Sequence, residues 1–220
     1  MLTIPQIKAA GGYGAIYVDP AWRYRDSSCR GAAEQHYTKD QNTGRSTMSD
    51  AELCALPVGE IAARDCALFL CGTWPKDREK YLLLDAWGFE YKTLAFIWHK
   101  YRSNSCRPFY GNGRWTRANS EPVWLATRGK PKRVDKGVDQ LIETIEFDDD
   151  RLLQAPVMDH SKKPEEIALR IKKLVGDHIP AIELFARERV EGFDAWGNDP
   201  KIGRPDVLLT NADLNRWMFA

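Results

Sequence analysis

Apolar positions fall into short runs along the chain, and their period switches repeatedly between that of a strand and that of a helix. Ala15-Ile16-Tyr17-Val18 is a continuous apolar run of buried-strand length, and Ala67-Leu68-Phe69-Leu70 is a second. Thr93 to Trp98, Pro122 to Thr127, Leu152 to Val157, Ala181 to Phe185 and Phe193 to Trp196 read as further strands. Helical signals lie between them. Ser49-Asp50-Ala51-Glu52 is a capping box, which predicts a helix that stops before Pro57, and a second short helix is expected over Gly59 to Arg64. Pro75 and Gly88 bracket a helix with Tyr81, Leu84 and Trp87 near helical spacing. Pro164 opens another, whose Ile167, Ile171, Leu174 and Val175 form a stripe ending at Gly176. This alternation predicts an α/β domain, with a mostly parallel sheet and helices on both faces.

Other stretches lack a period. Gly11-Gly12-Tyr13-Gly14 precedes a strand, whereas a dinucleotide-binding glycine run follows one, so a turn is expected. The segment from Trp22 to Met48 is polar and longer than an ordinary connection, as a lid would be, and within it Glu34-Gln35-His36-Tyr37 offers hydrogen-bonding and stacking groups. Arg128 to Arg151 reads as a surface excursion with one short helix at its acidic centre. A length of 220 residues fits one domain over residues 1–200, followed by a tail over 201–220 whose Trp217-Met218-Phe219 is suited to docking on the body or a partner.

Composition narrows the class. An apolar fraction of 43% and a charged fraction of 29% are those of a globular protein, and no apolar run approaches bilayer length. The first ten residues lack an apolar segment with a small-residue cleavage site, so a cytoplasmic location is expected. Cys29, Cys54, Cys66, Cys71 and Cys106 form no C-x-x-C pair, and His36, His99, His160 and His178 have no ligand spacing. Metal-free chemistry with reduced cysteines is expected. The net charge of +1 conceals an asymmetry: nine Lys and Arg stand between Trp98 and Arg133 against one acid, Glu121, while Val134 to Asp150 is acidic. Such a stretch suits either a polyanion footprint or a loop pair that neutralises itself.

In an open α/β sheet, chemistry collects at the carboxyl ends of strands. Two ends are chemically loaded, the one at Asp19-Pro20-Ala21-Trp22 and the one in Glu183-Leu184-Phe185-Ala186-Arg187. A carboxylate, a carbonyl before a fixed φ and an indole together suit a flat heterocycle with an exocyclic amine; an Asp-Pro turn backed by a core tryptophan uses the same residues.

Taken in order, the motifs resemble the MT-A seventy (MT-A70) family of S-adenosylmethionine-dependent adenine-N6 methyltransferases. The resemblance rests on Asp19-Pro20-Ala21-Trp22, on Trp87-Gly88-Phe89-Glu90-Tyr91-Lys92-Thr93 running into Trp98-His99-Lys100, and on Thr116-Arg117 with Glu121 and Ala126-Thr127-Arg128-Gly129. It continues through His160-Ser161-Lys162-Lys163-Pro164-Glu165, Glu183 to Arg187, and Gly192-Phe193 with Trp196-Gly197-Asn198. It implies a Rossmann-like methyltransferase fold, permuted so that the catalytic motif is N-terminal and the cofactor strand C-terminal. Asp19, Pro20 and Trp22 are then the catalytic residues, with Ala21 standing where the family usually has a second proline. Lys163, Glu183, Leu184, Phe185, Arg187 and Asn198 match positions around S-adenosylmethionine, with Glu183 or Asn198 expected on the ribose, Phe185 on the adenine and Lys163 on the methionine carboxylate. Leu184 and Phe185 also suit the core, and Glu183 with Arg187 a surface ion pair. The resemblance implies DNA as substrate, with RNA or a non-catalytic binding role as alternatives. Lys100, Arg114, Arg117, Arg128 and Lys132 are the candidate phosphate contacts, and neither a monomer nor a dimer is favoured.

Overall fold

The computed structural model describes residues 1–24, 47–102, 115–146 and 163–209. The chain opens with β1 (Leu2–Thr3), α1 (Ile4–Ala9) and β2 (Tyr13–Val18), then α2 (Asp50–Cys54), α3 (Val58–Ile61) and β3 (Ala62–Cys71). α4 (Glu79–Trp87), β4 (Glu90–Arg102), β5 (Ser120–Arg128) and β6 (Leu141–Glu146) follow. α5 (Glu165–Val175), β7 (Ala181–Leu184), β8 (Asp194–Trp196) and β9 (Val207–Leu208) complete it.

Seven strands form one sheet in the order β6-β4-β5-β3-β2-β7-β8. All neighbouring pairs are parallel except those of β5, which runs antiparallel to both β3 and β4. The two sheet faces bury separate cores. On one face Ile16, Val18, Leu68, Leu70, Ile182 and Leu184 pack with residues of α1 to α4. On the other Ala15, Tyr17, Phe69 and Phe96 pack with Ile167, Ala168, Ile171 and Val175 of α5. Helices thus cover both faces, and the alternation along β2 and β7 divides their side chains between the two layers.

The local signals explain the ends of the elements. Ser49 caps α2 as a capping box, its hydroxyl accepting from the Glu52 N–H while the Glu52 carboxylate accepts from the Ser49 N–H at 2.6 Å. Gly88 closes α4 at φ 75°, the left-handed C-cap that glycine adopts without a Cβ clash.

Several expectations are corrected. α1 was hidden in sequence because it has six residues and two buried apolar side chains, too few for a period. Ala62 to Arg64 belong to β3 rather than to a helix: Ala62 pairs with Tyr13 of β2, and the strand runs for ten residues to Cys71. In α4, Leu83 is buried with Leu84 and Trp87, whereas Tyr81 is exposed. The acidic stretch contributes β6 in place of a short helix, because β4 offers it a parallel edge from Ile97 to Arg102. The chain beyond residue 200 also joins the body: β9 pairs with β1, and Ile202, Val207 and Leu209 are buried. Residues 25–46, the strand expected at Leu152 to Val157, and Trp217 to Phe219 lie outside the described residues. Among the described residues no helix is long and apolar enough to cross a membrane, and no group of three or more His, Cys, Asp or Glu is arranged to hold a metal ion.

Candidate active site

β2 and β7 run side by side, with Val18 opposite Leu184, and the Asp19 N–H donates to the Leu184 carbonyl at 3.4 Å. Asp19 and Phe185 therefore leave the sheet together at its carboxyl edge, where open α/β sheets form their ligand crevice. α5 begins beside them. An open cleft of about 430 Å³, counting space continuous with solvent, lies between the strand ends and this helix. Asp19, Tyr17, Glu183, Phe185 and Arg187 line the strand side; Lys163, Pro164, Glu165 and Ala168 line the helix side.

Five of the residues expected from sequence thus meet in one cleft: Asp19, Lys163, Glu183, Phe185 and Arg187. Leu184 does not, because it alternates to the opposite face and is fully buried there. Asn198 is half-buried outside the cleft lining. Its loop is nonetheless held close to the cleft, since a Cβ on Gly197 would lie 2.2 Å from the Ala186 carbonyl, a contact that only glycine permits. Phe185 has φ 63°, the single positive φ of a non-glycine among the described residues. A left-handed phenylalanine costs about 1–2 kcal/mol, and neighbouring contacts hold it: its ring meets Trp196 edge-on at 5.3 Å, and the Ala186 N–H donates to the Trp196 carbonyl at 3.0 Å.

Lys163 lines the cleft and is also paired with carboxylates. Its ammonium lies 3.1 Å from Asp19 Oδ2 and 3.0 Å from Glu121 Oε2. Lys100 lies 2.8 Å from Glu121 Oε1 and 4.0 Å over the Trp98 ring. Asp19, Lys163, Glu121 and Lys100 form a largely buried line of alternating charge. Sequence alone gives Glu121 no role in the site, and its one signal is being the single acid among nine bases. Register explains the contact, since Glu121 on β5 pairs with Trp98 on β4.

The line polarises its members unequally. Burial pushes the Asp19 carboxyl above the usual carboxylate range; Lys163 and Arg187 pull it down and Glu121 pushes it up, and burial prevails. Burial acts upward on Glu121 as well, but the Lys163 and Lys100 charges outweigh it and bring the group down to about 2. Tyr17, which lines the cleft, is held well above its ordinary value by burial, so it presents a neutral hydroxyl.

The tetrapeptide is fixed by its surroundings. The Pro20 carbonyl accepts from the Trp22 N–H at 2.7 Å and keeps a second lone pair. The Ala21 carbonyl accepts from Met48 N–H at 2.7 Å, and Arg23 N–H donates to Met48 at 3.1 Å. Hydrogen bonds on both sides thus supply the restraint that a second proline would bring to position 21. Trp22 is a correction: its indole is buried in the core and donates to the Cys71 carbonyl at 3.1 Å, so it anchors the segment instead of facing the cleft.

The described basic residues stand at different places in the fold. Arg128 donates to the carbonyls of Gly88 at 3.2 Å, Gly59 at 2.6 Å and Trp87 at 2.7 Å. Its strand is antiparallel, so Arg128 lies opposite Cys66 at the far end of the sheet from Asp19, in a structural role. Lys132 is exposed just after that end, where the Val134 N–H donates to Leu174 near the C-terminus of α5. Lys100 belongs to the buried line. Arg117 is exposed close to the start of β5, at the Asp19 end, and Arg114 lies outside the described residues.

Fold and site together define an α/β protein with an open cleft at the carboxyl edge of its sheet and a buried, lysine-paired aspartate on the cleft wall. The chain belongs to the MT-A70 family, whose model matches residues 13–199. It is similar to the type II methyltransferase M.MunI of a Mycoplasma species, with 34% identity over 84% of this chain and 76% of that protein. The N6-methyladenosine RNA methyltransferase MTA1 of Pyricularia oryzae is 25% identical over 97% of this chain and 52% of its own length. The mouse N(6)-adenine-specific methyltransferase METTL4 is 24% identical over 89% of this chain and 39% of its own.

Proposed function

We propose that the protein transfers a methyl group from S-adenosylmethionine to the exocyclic N6 amine of adenine in DNA. The observation that carries this reading is the pair of consecutive acceptors, the Asp19 carboxylate and the Pro20 carbonyl, at the strand end beside the cleft. Family membership supports methyl transfer with this donor.

The cleft fits the donor chemically. Glu183 offers a carboxylate for a ribose diol and the Phe185 ring an apolar wall for a purine; Arg187 and Lys163 supply cations for the carboxylate of an amino-acid moiety. The bound cofactor would supply an electrophilic methyl group. On this reading the acceptor strand is β2 and the cofactor strand β7, the chain order that a permuted fold would have.

The amine of adenine is a poor nucleophile because its lone pair is delocalised into the ring. Asp19 and the Pro20 carbonyl accept its two hydrogens and turn the lone pair out of conjugation, towards the cleft. Lys163 holds the Asp19 carboxylate in place and in its ionised, accepting form, while Trp22 pins the segment from beneath. Positioning and fixed electrostatics provide the rate gain, and the released proton passes to Asp19 or to water. An adenine reaches such a recessed pair when it is flipped out of a duplex or single-stranded.

DNA is preferred to RNA because the relative named as a type II methyltransferase shares the higher identity and is covered over most of its length. Mass spectrometry of N6-methyladenine in DNA and RNA from cells expressing the protein, with an Asp19→Ala control, tests the reading. Methylation confined to RNA, or equal with the variant, refutes it.

A further inference from the structure

We propose that Trp74 is a stacking platform for the base next to the target adenine in the nucleic-acid strand, an inference that rests on the function proposed above. Asp19 has two flanks at the sheet edge. The β7 flank is the cleft just described. The other, over the ends of β3 and β5, is the side from which a base can approach.

Of the seven tryptophans among the described residues, Trp22, Trp87, Trp98, Trp124 and Trp196 are buried, whereas Trp74 is 44% and Trp115 99% exposed. Trp74 follows the carboxyl end of β3, three residues beyond Cys71. Its Nε1–H donates to Ser120 Oγ at 3.1 Å. Ser120 immediately precedes Glu121, which is tied through Lys163 to Asp19. Thr73 shares a 2.9 Å hydrogen bond with Tyr24, two residues beyond Trp22. Trp74 is therefore fixed to both segments that flank the reacting carboxylate.

An indole donates one hydrogen bond, and here it is satisfied, so the ring is oriented yet close to half exposed. Large aromatic rings ordinarily contribute by burial, and a pinned, exposed ring offers a rigid π-surface instead. Flipping an adenine leaves the neighbouring base without its stacking partner, and an indole at the rim replaces that contact. Arg114-Trp115-Thr116-Arg117, ending three residues before Ser120, interleaves cations with an aromatic, the composition of surfaces that hold single strands. Arg117 is exposed at this end of the sheet and complements a phosphate.

The test measures the affinity of a fluorescent, adenine-containing single-stranded DNA oligonucleotide by anisotropy over a salt series, for wild type, Trp74→Ala, Trp74→Phe and Arg117→Gln. Trp74→Ala is expected to bind about 5- to 100-fold more weakly with an unchanged salt slope, because stacking releases no counterions. Trp74→Phe keeps most of the affinity, and Arg117→Gln flattens the slope. Calorimetry with S-adenosylhomocysteine is expected to give wild-type affinity for both Trp74 variants. Wild-type oligonucleotide binding by Trp74→Ala, or parallel loss of S-adenosylhomocysteine binding, overturns the proposal. Methyl transfer by the wild type, measured alongside, separates the two readings: transfer with no Trp74 dependence overturns stacking alone, and a wild type that neither transfers nor binds overturns both.

Discussion

Replacing Glu121 with Gln removes a negative charge that shares the Lys163 ammonium with Asp19. Asp19 Oδ2 and Glu121 Oε2 lie 3.1 and 3.0 Å from that nitrogen, so the carboxylates face each other across no more than about 6 Å. At an effective dielectric constant of about 20, like charges about 6 Å apart repel by about 3 kcal/mol. That is roughly a hundredfold in the ratio of ionised to protonated carboxyl, reduced by whatever the lysines recover on relaxing. In the wild type Glu121 holds the Asp19 carboxyl up, together with burial, and in Glu121→Gln that upward push is gone while the Lys163 charge remains beside Asp19. An acceptor role for Asp19 requires the ionised form, so the acid limb of the single-turnover rate, measured at saturating S-adenosylmethionine, moves to lower pH in Glu121→Gln. Lys163→Met removes the favourable charge and moves the limb the other way. A limb that shifts upward in Glu121→Gln, or that stays fixed in both variants, refutes the reasoning.

Asp19→Ala is expected to abolish methyl transfer while S-adenosylhomocysteine still binds, because Lys163 keeps Glu121 as its partner; turnover by the folded variant rules out the acceptor role. Glu121 ionises at about 2 in the fold against 4.5 as a free group, so its contribution to stability is complete above about pH 4.5 and is lost as pH falls towards 2. Asp19 has the opposite sign, its carboxyl being raised, and its contribution is lost as pH climbs above 3.8. Urea midpoints across this range, compared between wild type and Glu121→Gln, measure the first effect: the variant is expected to lose less stability on acidification. Arg128→Met orphans three backbone carbonyls and is expected to cost on the order of 3 kcal/mol in urea unfolding. Its salt slope for DNA should equal that of wild type, and a flatter slope with normal stability would return Arg128 to the phosphate contacts.

Much of this protein was legible before folding. The period of apolar residues specified six strands and the longer helices, because a buried run and a capped amphipathic helix are local signals. The short elements were not: α1 and β6 exist because α3 and β4 offer them surfaces, and their sequences carry no period of their own. Likewise the stretch after residue 200 looked like a tail because β9 has two residues, and its partner β1 stands at the opposite end of the chain.

For the site, sequence alone determined the chemistry of the two strand ends. Asp19 and Pro20 are acceptors wherever they stand, and Glu183, Phe185 and Arg187 carry their charges and ring with them. Only the tertiary structure decided who meets whom. Parallel pairing of β2 with β7 brought Asp19 beside Phe185 across a separation of more than 160 residues. The antiparallel course of β5 split the basic stretch, sending Arg128 to the far end of the sheet and Glu121 to Lys163. Trp22 was turned into the core by its bond to Cys71, and Trp74 was left on the rim by its bond to Ser120. Composition supplies the reactive groups, and strand direction and register decide which of them share a dielectric and which face water.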